Sequence, residues 1–429
     1  QWVAEIDSAD RVPEMISRAF HTAMSGRPGP VVLALPEDTL TETAEVEAAP
    51  LAEPVDSAPT PAQVAAFGDL LAKAERPLLV AGGSRWTAES VTALQGFAEK
   101  LSLPVAVTFR RQMLFDHCHP LYAGDIGLGI NPKLTALVKD SDLLILLGDR
   151  FSEVPSQSYG LLGIPDPGKA VVHIHPGAEE IGRVYRPTLG MVATPAAFLE
   201  AVAGLDVTAK PGWAARAEAA HAAYEAWSTP PDAIPGDVQM GRIMAWLDER
   251  LEHDAIFTNG AGNYATWIHR FHRFRRFGTQ AAPVCGSMGY GLPAAIAAKL
   301  QHRTRDVLCF AGDGCFQMTG VEFGTAVQEG AAVIVLVVDN GMYGTIRMHQ
   351  EREYPGRVSG TRLQNPDFAA LARAYGGHGE TVETTDQFAP AFERARASGL
   401  PAILHIKLDP EALTPTRTLS EIRAAGKGT

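Results

Sequence analysis

The sequence lacks the features that mark membrane proteins and nucleic-acid-binding proteins. No apolar run approaches the roughly 20 residues of a membrane-spanning helix. The longest run, Ala331 to Val338, has the length of a buried strand. Basic residues are in deficit, with 37 Lys and Arg against 49 Asp and Glu, so the net charge is −12. That sign opposes binding to a phosphate backbone. We therefore expect neither a membrane nor a nucleic acid as a partner.

Cysteine is also scarce. The 429 residues include four cysteines, none of them in a CxxC pair. This sparse set favours neither a disulfide framework nor a zinc site, and it is typical of a protein in the reducing cytoplasm. The central part of the chain also has no GxGxxG fingerprint, so a nucleotide-binding role for that part ranks low.

What the sequence does contain is a repeated alternation of short apolar strands with helical stretches, which predicts an α/β protein built from successive open parallel-sheet domains. A helix over Asp10 to Gly26 and a strand over Val31 to Leu35 come first. The later predicted strands are Pro77–Ala81, Val105–Thr108, Leu143–Leu147, Val171–Ile174, Ala255–Thr258, Val307–Ala311, Val333–Val338 and Ile403–Ile406.

Two stretches that are poor in large apolar residues predict the domain boundaries. One helix and one strand cannot form a sheet domain by themselves, so we interpret residues 1–40 as the end of a larger α/β domain. The predicted organisation is a domain remnant over 1–40, a linker over 41–60, a central α/β domain over 61–205, a connector over 206–236, a last α/β domain over 237–410 and a helical or disordered tail over 411–429.

One βαβ unit carries the chemistry that the sequence predicts. A predicted strand ends at Gly312-Asp313-Gly314, and after a helix-compatible stretch to Glu329 the next strand ends at Asp339-Asn340-Gly341. Because the carboxyl ends of two such parallel strands lie at the same sheet edge, Asp313 and Asn340 are predicted to meet. Carboxylate and amide oxygens suit Mg²⁺, and the glycines let backbone N–H groups face an anion. The predicted ligand is a magnesium diphosphate.

This pair resembles the cofactor signature of thiamine diphosphate enzymes, in which GDG is followed some 25 to 30 residues later by Asn. Gly286 to Lys299 resembles the stretch of that family that supports the thiazolium, and Met288 occupies the position of the apolar wedge between the two rings. Asn259 to Trp267 resembles the first diphosphate-binding turn, although Asn263 and Tyr264 depart from the common Gln and His.

The resemblance implies a set of binding residues. Those implied to contact thiamine diphosphate are Gly262, Asn263, Tyr264, Gly286, Met288, Gly312, Asp313, Gly314, Cys315, Asn340, Met342 and Tyr343. Those implied to hold Mg²⁺ are Asp313, Asn340 and the backbone carbonyl of Met342.

Nearly the whole chain resembles the acetolactate synthase group of these enzymes, whose large subunits have a pyrimidine-binding domain, a central Rossmann-like domain and a diphosphate-binding domain. Residues 1–40 match the end of the first domain. The resemblance implies a homodimer or homotetramer with the active site between subunits. The family's catalytic glutamate would lie upstream of Gln1, so the 429-residue chain by itself is expected to be nearly inactive.

The implied activity is decarboxylation of a small 2-oxo acid, followed by carboligation to a second 2-oxo acid as in acetolactate synthase. Release of an aldehyde, as in a simple decarboxylase or lyase, stays an alternative, as does a non-catalytic homologue or assembly subunit. Acetolactate synthases have a Trp after Arg-Gln where this sequence reads Arg347-Met348-His349-Gln350. His349 is therefore a candidate proton donor or specificity residue, or else a surface histidine on a helix.

The same resemblance argues against FAD. Relatives that bind FAD carry two aspartates in the central domain, and the corresponding positions here hold His175 and Gly177. Neither residue offers a carboxylate, so we expect thiamine diphosphate and Mg²⁺ without FAD.

Overall fold

The computed structural model describes residues 1–426, which divide into two compact units. The first unit comprises residues 1–108 and 120–221, and the second comprises residues 109–119 and those from 222 onward. The end of the expected tail, Lys427 to Thr429, lies outside the described residues. No helix within residues 1–426 is long and apolar enough to cross a membrane.

The first unit is built on an open parallel sheet of six strands in the order β5-β4-β3-β6-β7-β8. The predicted strands are present, and short strands that the apolar pattern did not indicate, β5 and β8, extend both edges. The elements up to the division at His221 are β1 (Trp2–Glu5), α1 (Val12–Met24), β2 (Val31–Ala34), α2 (Pro61–Lys73), β3 (Pro77–Ala81), α3 (Ala88–Leu101), β4 (Val105–Thr108), β5 (Tyr122–Ile126), α4 (Pro132–Asp140), β6 (Leu143–Leu147), β7 (Ala170–His175), β8 (Leu189–Val192), α5 (Pro195–Val202) and α6 (Pro211–Ser228), in which the division falls.

The N-terminal elements form a small separate sheet. β1 pairs in parallel with β2, a pairing that the sequence did not predict. Alternate residues of both strands face solvent. Val3 is 74% exposed and Val32 is 56% exposed. The physical reason is that two strands and the helix α1 cannot enclose two faces of a sheet.

The second unit contains another open parallel sheet, with the strand order β10-β9-β11-β12-β14-β13. Successive side chains of its central strands point to opposite faces, where two apolar clusters form. Leu336 belongs to one cluster, and Val335 and Val337 belong to the other. The elements are α7 (Met240–Arg250), β9 (Ile256–Asn259), α8 (Ala265–Phe271), β10 (Gln280–Ala281), α9 (Gly291–Gln301), β11 (Val307–Gly312), α10 (Asp313–Gln317), α11 (Phe323–Gln328), β12 (Ile334–Asp339), α12 (Gly344–Glu353), α13 (Phe368–Ala374), β13 (His378–Val382), α14 (Thr385–Ser398), β14 (Ala402–Lys407) and α15 (Leu419–Gly426).

The two sheets confirm the predicted α/β class with successive open parallel sheets. The connection between β11 and β12 is less regular than the sequence suggested. The stretch that ends at Glu329 consists of α10, a 3-10 turn over Gly320–Glu322 and α11. The predicted C-terminal tail contains the ordered helix α15.

Candidate functional site

The polar residues predicted to bind a ligand lie at the carboxyl edge of the second sheet. β11 and β12 are parallel neighbours, with Gly312 of the first opposite Val338 of the second. Asp313 directly follows β11, and Asn340 directly follows β12. Both residues line one cavity of about 230 Å³. The parallel crossover therefore brings the two residues to the same place, as their spacing predicted.

All twelve residues predicted to contact the cofactor line this cavity, although they come from four separate segments of the chain. That they bind thiamine diphosphate stays a prediction. They are Gly262, Asn263, Tyr264, Gly286, Met288, Gly312, Asp313, Gly314, Cys315, Asn340, Met342 and Tyr343. The walls also include apolar side chains that the sequence did not single out, namely Trp267, Val338, Ile346, Leu408 and Leu413.

Asp313 is buried but only partly engaged, with 3% of the residue exposed. Its Oδ1 accepts a hydrogen bond from the Gly314 N–H at 2.8 Å, and its Oδ2 accepts one from Asn365 at 2.8 Å. A carboxylate has about four acceptor positions, so both oxygens keep room for a further ligand. Burial raises the pKa of Asp313 above its ordinary value; the hydrogen bonds from Asn365 and Gly314 oppose this shift, and the charge of Asp339 adds to it. The positive charge of a bound cation would compensate the negative charge of this carboxylate, which has no basic partner among the described residues.

Asp339, at the end of the neighbouring strand, is fully engaged. Its Oδ2 accepts from His405 at 2.8 Å and from Lys407 at 2.7 Å. Its Oδ1 accepts from the Gly341 N–H at 3.0 Å and from Asn365 at 2.6 Å. Burial acts to raise the pKa of Asp339, but these hydrogen bonds outweigh it and hold the pKa below its ordinary value. With four donors on two oxygens, Asp339 has no acceptor position left for a metal ion.

Asn340 and Met342 supply the other predicted metal ligands. Among residues 1–426, the Asn340 side chain forms no hydrogen bond, so its amide oxygen is available to a ligand. Met342 forms an isolated bridge with Arg362. The hydrogen bonds of this bridge are made by the backbone of Gly341 and Tyr343, at 2.9 and 3.0 Å. The Met342 carbonyl is not used in the bridge.

Tyr264 and Cys315 connect three of the predicted binding segments. The Tyr264 hydroxyl accepts from the Gly260 N–H at 3.0 Å and donates to the Cys315 Sγ at 3.1 Å. The same sulfur accepts from the Gly289 N–H at 3.2 Å. Burial raises the pKa of Tyr264 well above its ordinary value, so its phenol stays protonated and able to donate. Tyr264 stands where the family commonly has His, and it forms a defined contact with Cys315 at this position.

Asn263 is held by two hydrogen bonds to a threonine of α12. Its backbone N–H donates to the Thr345 Oγ1 at 3.0 Å, and its Oδ1 accepts from the same hydroxyl at 2.9 Å. Thr345 lies in the first turn of α12 and also lines the cavity. These two hydrogen bonds fix the predicted diphosphate-binding turn that carries Asn263 against the start of α12, which follows Asn340 in the chain.

At two glycines of the cavity wall, tyrosine rings pack so closely against the backbone that a side chain would not fit. A Cβ on Gly314 would lie 2.5 Å from the Tyr343 ring. Gly262 has a φ of +150°, and a Cβ there would lie 2.8 Å from the Tyr264 ring. The fit to a diphosphate with a hard divalent cation rests on the carboxylate and amide oxygens of Asp313 and Asn340 in the cavity wall.

Met288 is half-buried, in keeping with a role as a wedge. It packs against the apolar cluster on one face of the second sheet and also lines the cavity. Gly289, which follows it, has a φ of +77°, a left-handed conformation that favours glycine. The flexible thioether is thus presented from a turn rather than from a helix.

His349 is not brought to the cavity. It lies on α12, is exposed, and its Nδ1 is 2.6 Å from the Arg352 guanidinium.

Among the residues described, no group of three or more His, Cys, Asp and Glu side chains is placed to hold a metal ion. A metal in the cavity would therefore need amide, backbone or ligand oxygens beside Asp313.

Arg110 is a buried residue near the cavity that sequence reasoning missed. It is 3% exposed, and its Nη2 donates to the Gly260 carbonyl at 2.8 Å. Its Nη1 donates to the Pro283 carbonyl. Among residues 1–426, no carboxylate pairs with it. Burial lowers the pKa of Arg110. The side chain holds together the two turns that carry Gly262 and Gly286.

Asn365 was missed as well. It follows β12 by 26 residues in a connecting segment between α12 and α13, with no motif around it that the sequence reading recognised. The signal that marks its importance is its contact with the two aspartates, which becomes visible only in three dimensions.

Two domains of one family of known enzymes match this chain. The central domain of thiamine pyrophosphate enzymes matches residues 64–202. The C-terminal thiamine pyrophosphate-binding domain of these enzymes matches residues 260–406. The second match includes every predicted binding residue.

Curated relatives are similar over most of the chain. The large subunit of acetolactate synthase isozyme 2 from Escherichia coli is 29% identical over 94% of this chain and 73% of its own length. The acetolactate synthase of Arthrospira platensis is 30% identical over 92% of this chain and 70% of its own length. The acetolactate synthase large subunit of Corynebacterium glutamicum is 30% identical over 91% of this chain, which spans 64% of that relative.

Proposed function

We propose that this chain, which belongs to the thiamine pyrophosphate enzyme family, binds thiamine diphosphate with Mg²⁺ and decarboxylates a small 2-oxo acid, with carboligation to a second 2-oxo acid. The observation that carries the proposal is that Asp313 and Asn340 line one cavity with every other residue of the predicted cofactor signature. The similarity to acetolactate synthases supports the choice of reaction.

The proposed metal ligands are Asp313, Asn340 and the Met342 carbonyl. Asp313 has free acceptor positions and no basic partner among the described residues, and the Asn340 amide is unengaged. These are oxygen donors, which suit Mg²⁺ better than a softer metal. The diphosphate would complete the oxygen shell, while Asp339 stabilises the loop from behind.

When bound, thiamine diphosphate supplies a nucleophilic carbon and an electron sink for the decarboxylation of a 2-oxo acid. The chain's own residues bind and orient it. Met288 presents a half-buried apolar side chain from its turn, and Leu408 and Leu413 close part of the wall with apolar surface. Such a wall excludes water from the reacting groups.

The segment after the metal loop favours an apolar contact with the substrate. Ile346 lines the cavity and is half exposed. Arg347 is buried and forms an ion pair of 2.6 Å with Glu351. Neither Arg347 nor His349 lines the cavity. We therefore assign substrate contact on this side to Ile346 and not to Arg347 or His349.

We further propose a homo-oligomer with the active site between subunits. Four apolar residues that are near the cavity-lining residues Gly286, Met288 and Cys315 in the chain are exposed, and we call them the apolar flank: Val284, Tyr290, Met318 and Val321. A Cβ on Gly289 would be 3.1 Å from Met318, which places two parts of the flank side by side. An exposed apolar group next to a binding cavity is typical of an interface. Two of the relatives are named as large subunits, that is, parts of an assembly.

Two further features belong to the proposal. FAD is not expected, because His175 and Gly177 have no carboxylate to offer a flavin nucleotide, so purified protein should lack flavin absorbance. A reducing compartment such as the cytoplasm is expected, since the four cysteines are unpaired and two of them are exposed.

The binding part of the proposal is tested by thermal melting with and without thiamine diphosphate and Mg²⁺. A ligand at about 100 times its dissociation constant stabilises the folded protein by about 2.7 kcal/mol. Asp313→Ala should lose this stabilisation while its unliganded melting stays close to that of the wild type, because the side chain contributes little apolar burial. Asp386→Ala, at a fully exposed position on α14, is the matched control and should keep the full shift.

The catalytic part is tested by supplying pyruvate to the full-length protein and analysing the products, because the 429-residue chain by itself is expected to be nearly inactive. Carbon dioxide with acetolactate would establish carboligation, and carbon dioxide with acetaldehyde would establish simple decarboxylation. An undiminished ligand-induced shift in Asp313→Ala would contradict the proposed site. Binding without turnover of any 2-oxo acid by the assembled protein would contradict the proposed activity.

A further inference from the structure

Asn365 lies between the two aspartates at the carboxyl edge of the second sheet. Its Nδ2 is 2.8 Å from Oδ2 of Asp313 and 2.6 Å from Oδ1 of Asp339. An amide NH₂ group has two hydrogens, so it can donate to both carboxylates at once. One side chain thus links the end of β11 with the end of β12.

The orientation of this amide follows from its partners. Two carboxylates accept hydrogen bonds and cannot donate, so the NH₂ end must face them. The other end, Oδ1, accepts from the Gln317 Nε2 at 2.9 Å. Gln317 is the last residue of α10, the short helix that begins at Asp313. The helix that starts with the candidate ligand therefore also holds the amide that contacts this ligand.

The two carboxylates depend on Asn365 to different extents. Without it, Asp339 would keep the hydrogen bonds from His405, Lys407 and the Gly341 N–H. Asp313 would keep only the Gly314 N–H on Oδ1, and Oδ2 would have no partner among the described residues. The terminal torsion of an aspartate is broad, so a carboxylate held at one oxygen can rotate. It would also turn away from the like charge of Asp339.

We infer that Asn365 is a positioning residue, which holds the Asp313 carboxylate beside Asp339 in the orientation that the proposed metal ion needs. The inference rests on the proposed function, because it assigns Asn365 to the same metal site. Residues that orient metal ligands from outside change metal affinity by 10- to 100-fold when they are removed. Because Asp339 keeps three donors without Asn365, two of them basic side chains, and Asp313 keeps only one, we assign the effect of Asn365 on metal binding to Asp313.

The test measures the affinity of the protein for Mn²⁺, a paramagnetic substitute for Mg²⁺, in the presence of saturating thiamine diphosphate. Free Mn²⁺ is quantified by electron paramagnetic resonance. Asn365→Ala should raise the Mn²⁺ dissociation constant by about 10-fold or more. The affinity for thiamine diphosphate at saturating Mn²⁺ should change much less. A loss of general packing would not produce this split between metal and cofactor.

Two further variants complete the design. Gln317→Ala removes the donor to the Asn365 Oδ1 at an exposed position, so it should fold normally and weaken Mn²⁺ binding in the same direction by a smaller factor. Asn131→Ala is the matched control, because Asn131 caps α4 in the first unit and does not line the cavity. It should leave the Mn²⁺ affinity unchanged.

The outcomes separate this inference from the proposed function. If Asp313→Asn loses Mn²⁺ binding but a folded Asn365→Ala keeps wild-type affinity, the positioning role is wrong and the metal site stands. If Asn365→Ala does not fold, wild-type affinity in Gln317→Ala overturns the inference. Wild-type affinity in Asp313→Asn overturns the proposed metal site, and the positioning role with it.

Discussion

Asp313 and Asp339 end neighbouring strands, yet the donors around them give them opposite properties. Asp339 receives hydrogen bonds from two basic side chains, and its oxygens are saturated. Asp313 receives two neutral donors and keeps its negative charge uncompensated. An uncompensated buried carboxylate is costly in an apolar surrounding, unless a cation completes it. The structure thus separates a carboxylate whose acceptor positions are all used from one that keeps acceptor positions free.

Arg110 presents the reverse situation, a buried cation whose only described side-chain acceptors are carbonyl oxygens. Arg110→Met should lower the free energy of unfolding by about 1–3 kcal/mol, because the buried carbonyls of Gly260 and Pro283 lose their donors. Urea denaturation measures this change. The affinity for thiamine diphosphate should fall as well, since the two turns that carry Gly262 and Gly286 lose their common anchor.

The matched control for this prediction is Arg303→Met. Arg303 also donates to a carbonyl, that of Glu329 at 3.2 Å, but it is exposed to solvent. Water can replace an exposed donor, so this variant should change the stability by less than about 0.5 kcal/mol. Equal effects of the two substitutions would show that Arg110 is not a buried anchor.

At the scale of elements, a cluster of charges joins α15 to α12. Glu351 on α12 accepts from Arg347 at 2.8 Å and from Arg423 on α15 at 2.8 Å, and it also accepts from the Gly356 N–H at 2.7 Å. Apolar contacts run alongside, because Met342, Leu413, Leu419 and Ile422 form one buried cluster. Since Leu413 and Met342 also line the cavity, the docking of α15 supports its wall.

Glu351→Gln should loosen α15. We expect the free energy of local unfolding of α15 to fall by about 2 kcal/mol, because two guanidinium groups lose a charged acceptor. Backbone amides of α15 should then exchange with solvent about 30-fold faster, as each 1.4 kcal/mol corresponds to a factor of ten. Glu393→Gln, which removes a largely exposed pair with Arg250, is the control and should cost less than about 1 kcal/mol. Unchanged exchange in α15 of Glu351→Gln would refute the role of the cluster.

The same carboxylate predicts a pH dependence. Hydrogen bonds from Arg423, against the opposing effect of burial and with help from Gly356 and Arg347, lower the pKa of Glu351 to about 2, from an ordinary value of 4.5. The unfolded chain therefore binds this proton more readily than the folded one. The stabilisation by Glu351 is fully present above pH 4.5 and is lost as the pH falls from 4.5 through 2. Glu351→Gln should remove this part of the acid sensitivity of α15, which hydrogen exchange at several pH values can measure.

At the scale of the whole molecule, the apolar flank predicts self-association. Val321 is the most exposed residue of the apolar flank, at 71%, and follows Met318 by three residues. A charge placed in a buried interface costs several kcal/mol, so Val321→Glu should raise the dissociation constant of the oligomer by at least about 100-fold. Sedimentation velocity over a range of concentrations measures this shift. Cofactor binding should weaken in parallel if subunits share the site.

Val55→Glu is the matched control for the assembly. Val55 is 66% exposed and lies between residues 42 and 60, where the chain has no regular secondary structure. This substitution adds the same charge at a similarly exposed valine, and it should leave the oligomer intact. A Val321→Glu protein that sediments like the wild type would refute the proposed interface.

Much of the fold and of the site was predictable from local sequence. Strands such as Pro77–Ala81 and Leu143–Leu147 were predicted to the residue, because strands buried on both faces are continuous apolar runs between helical stretches. The spacing of Asp313 and Asn340 predicted that both lie at the same edge of the sheet. A parallel crossover places the carboxyl ends of the two strands that it connects at one edge. The prediction of thiamine diphosphate came from the resemblance of that pair, and of the motifs around it, to the signature of a known family.

What only the tertiary structure decided is which distant side chains meet. Asn365 and Arg110 act across separations that no local pattern encodes. Asp339 receives two of its four hydrogen bonds from residues of β14, and His349 is turned toward solvent on α12. Short edge strands such as β8 and β10 were missed because few of their residues are buried. A local pattern reflects burial and backbone geometry within one element, whereas partners and electrostatic environments arise from long-range packing that brings several elements together.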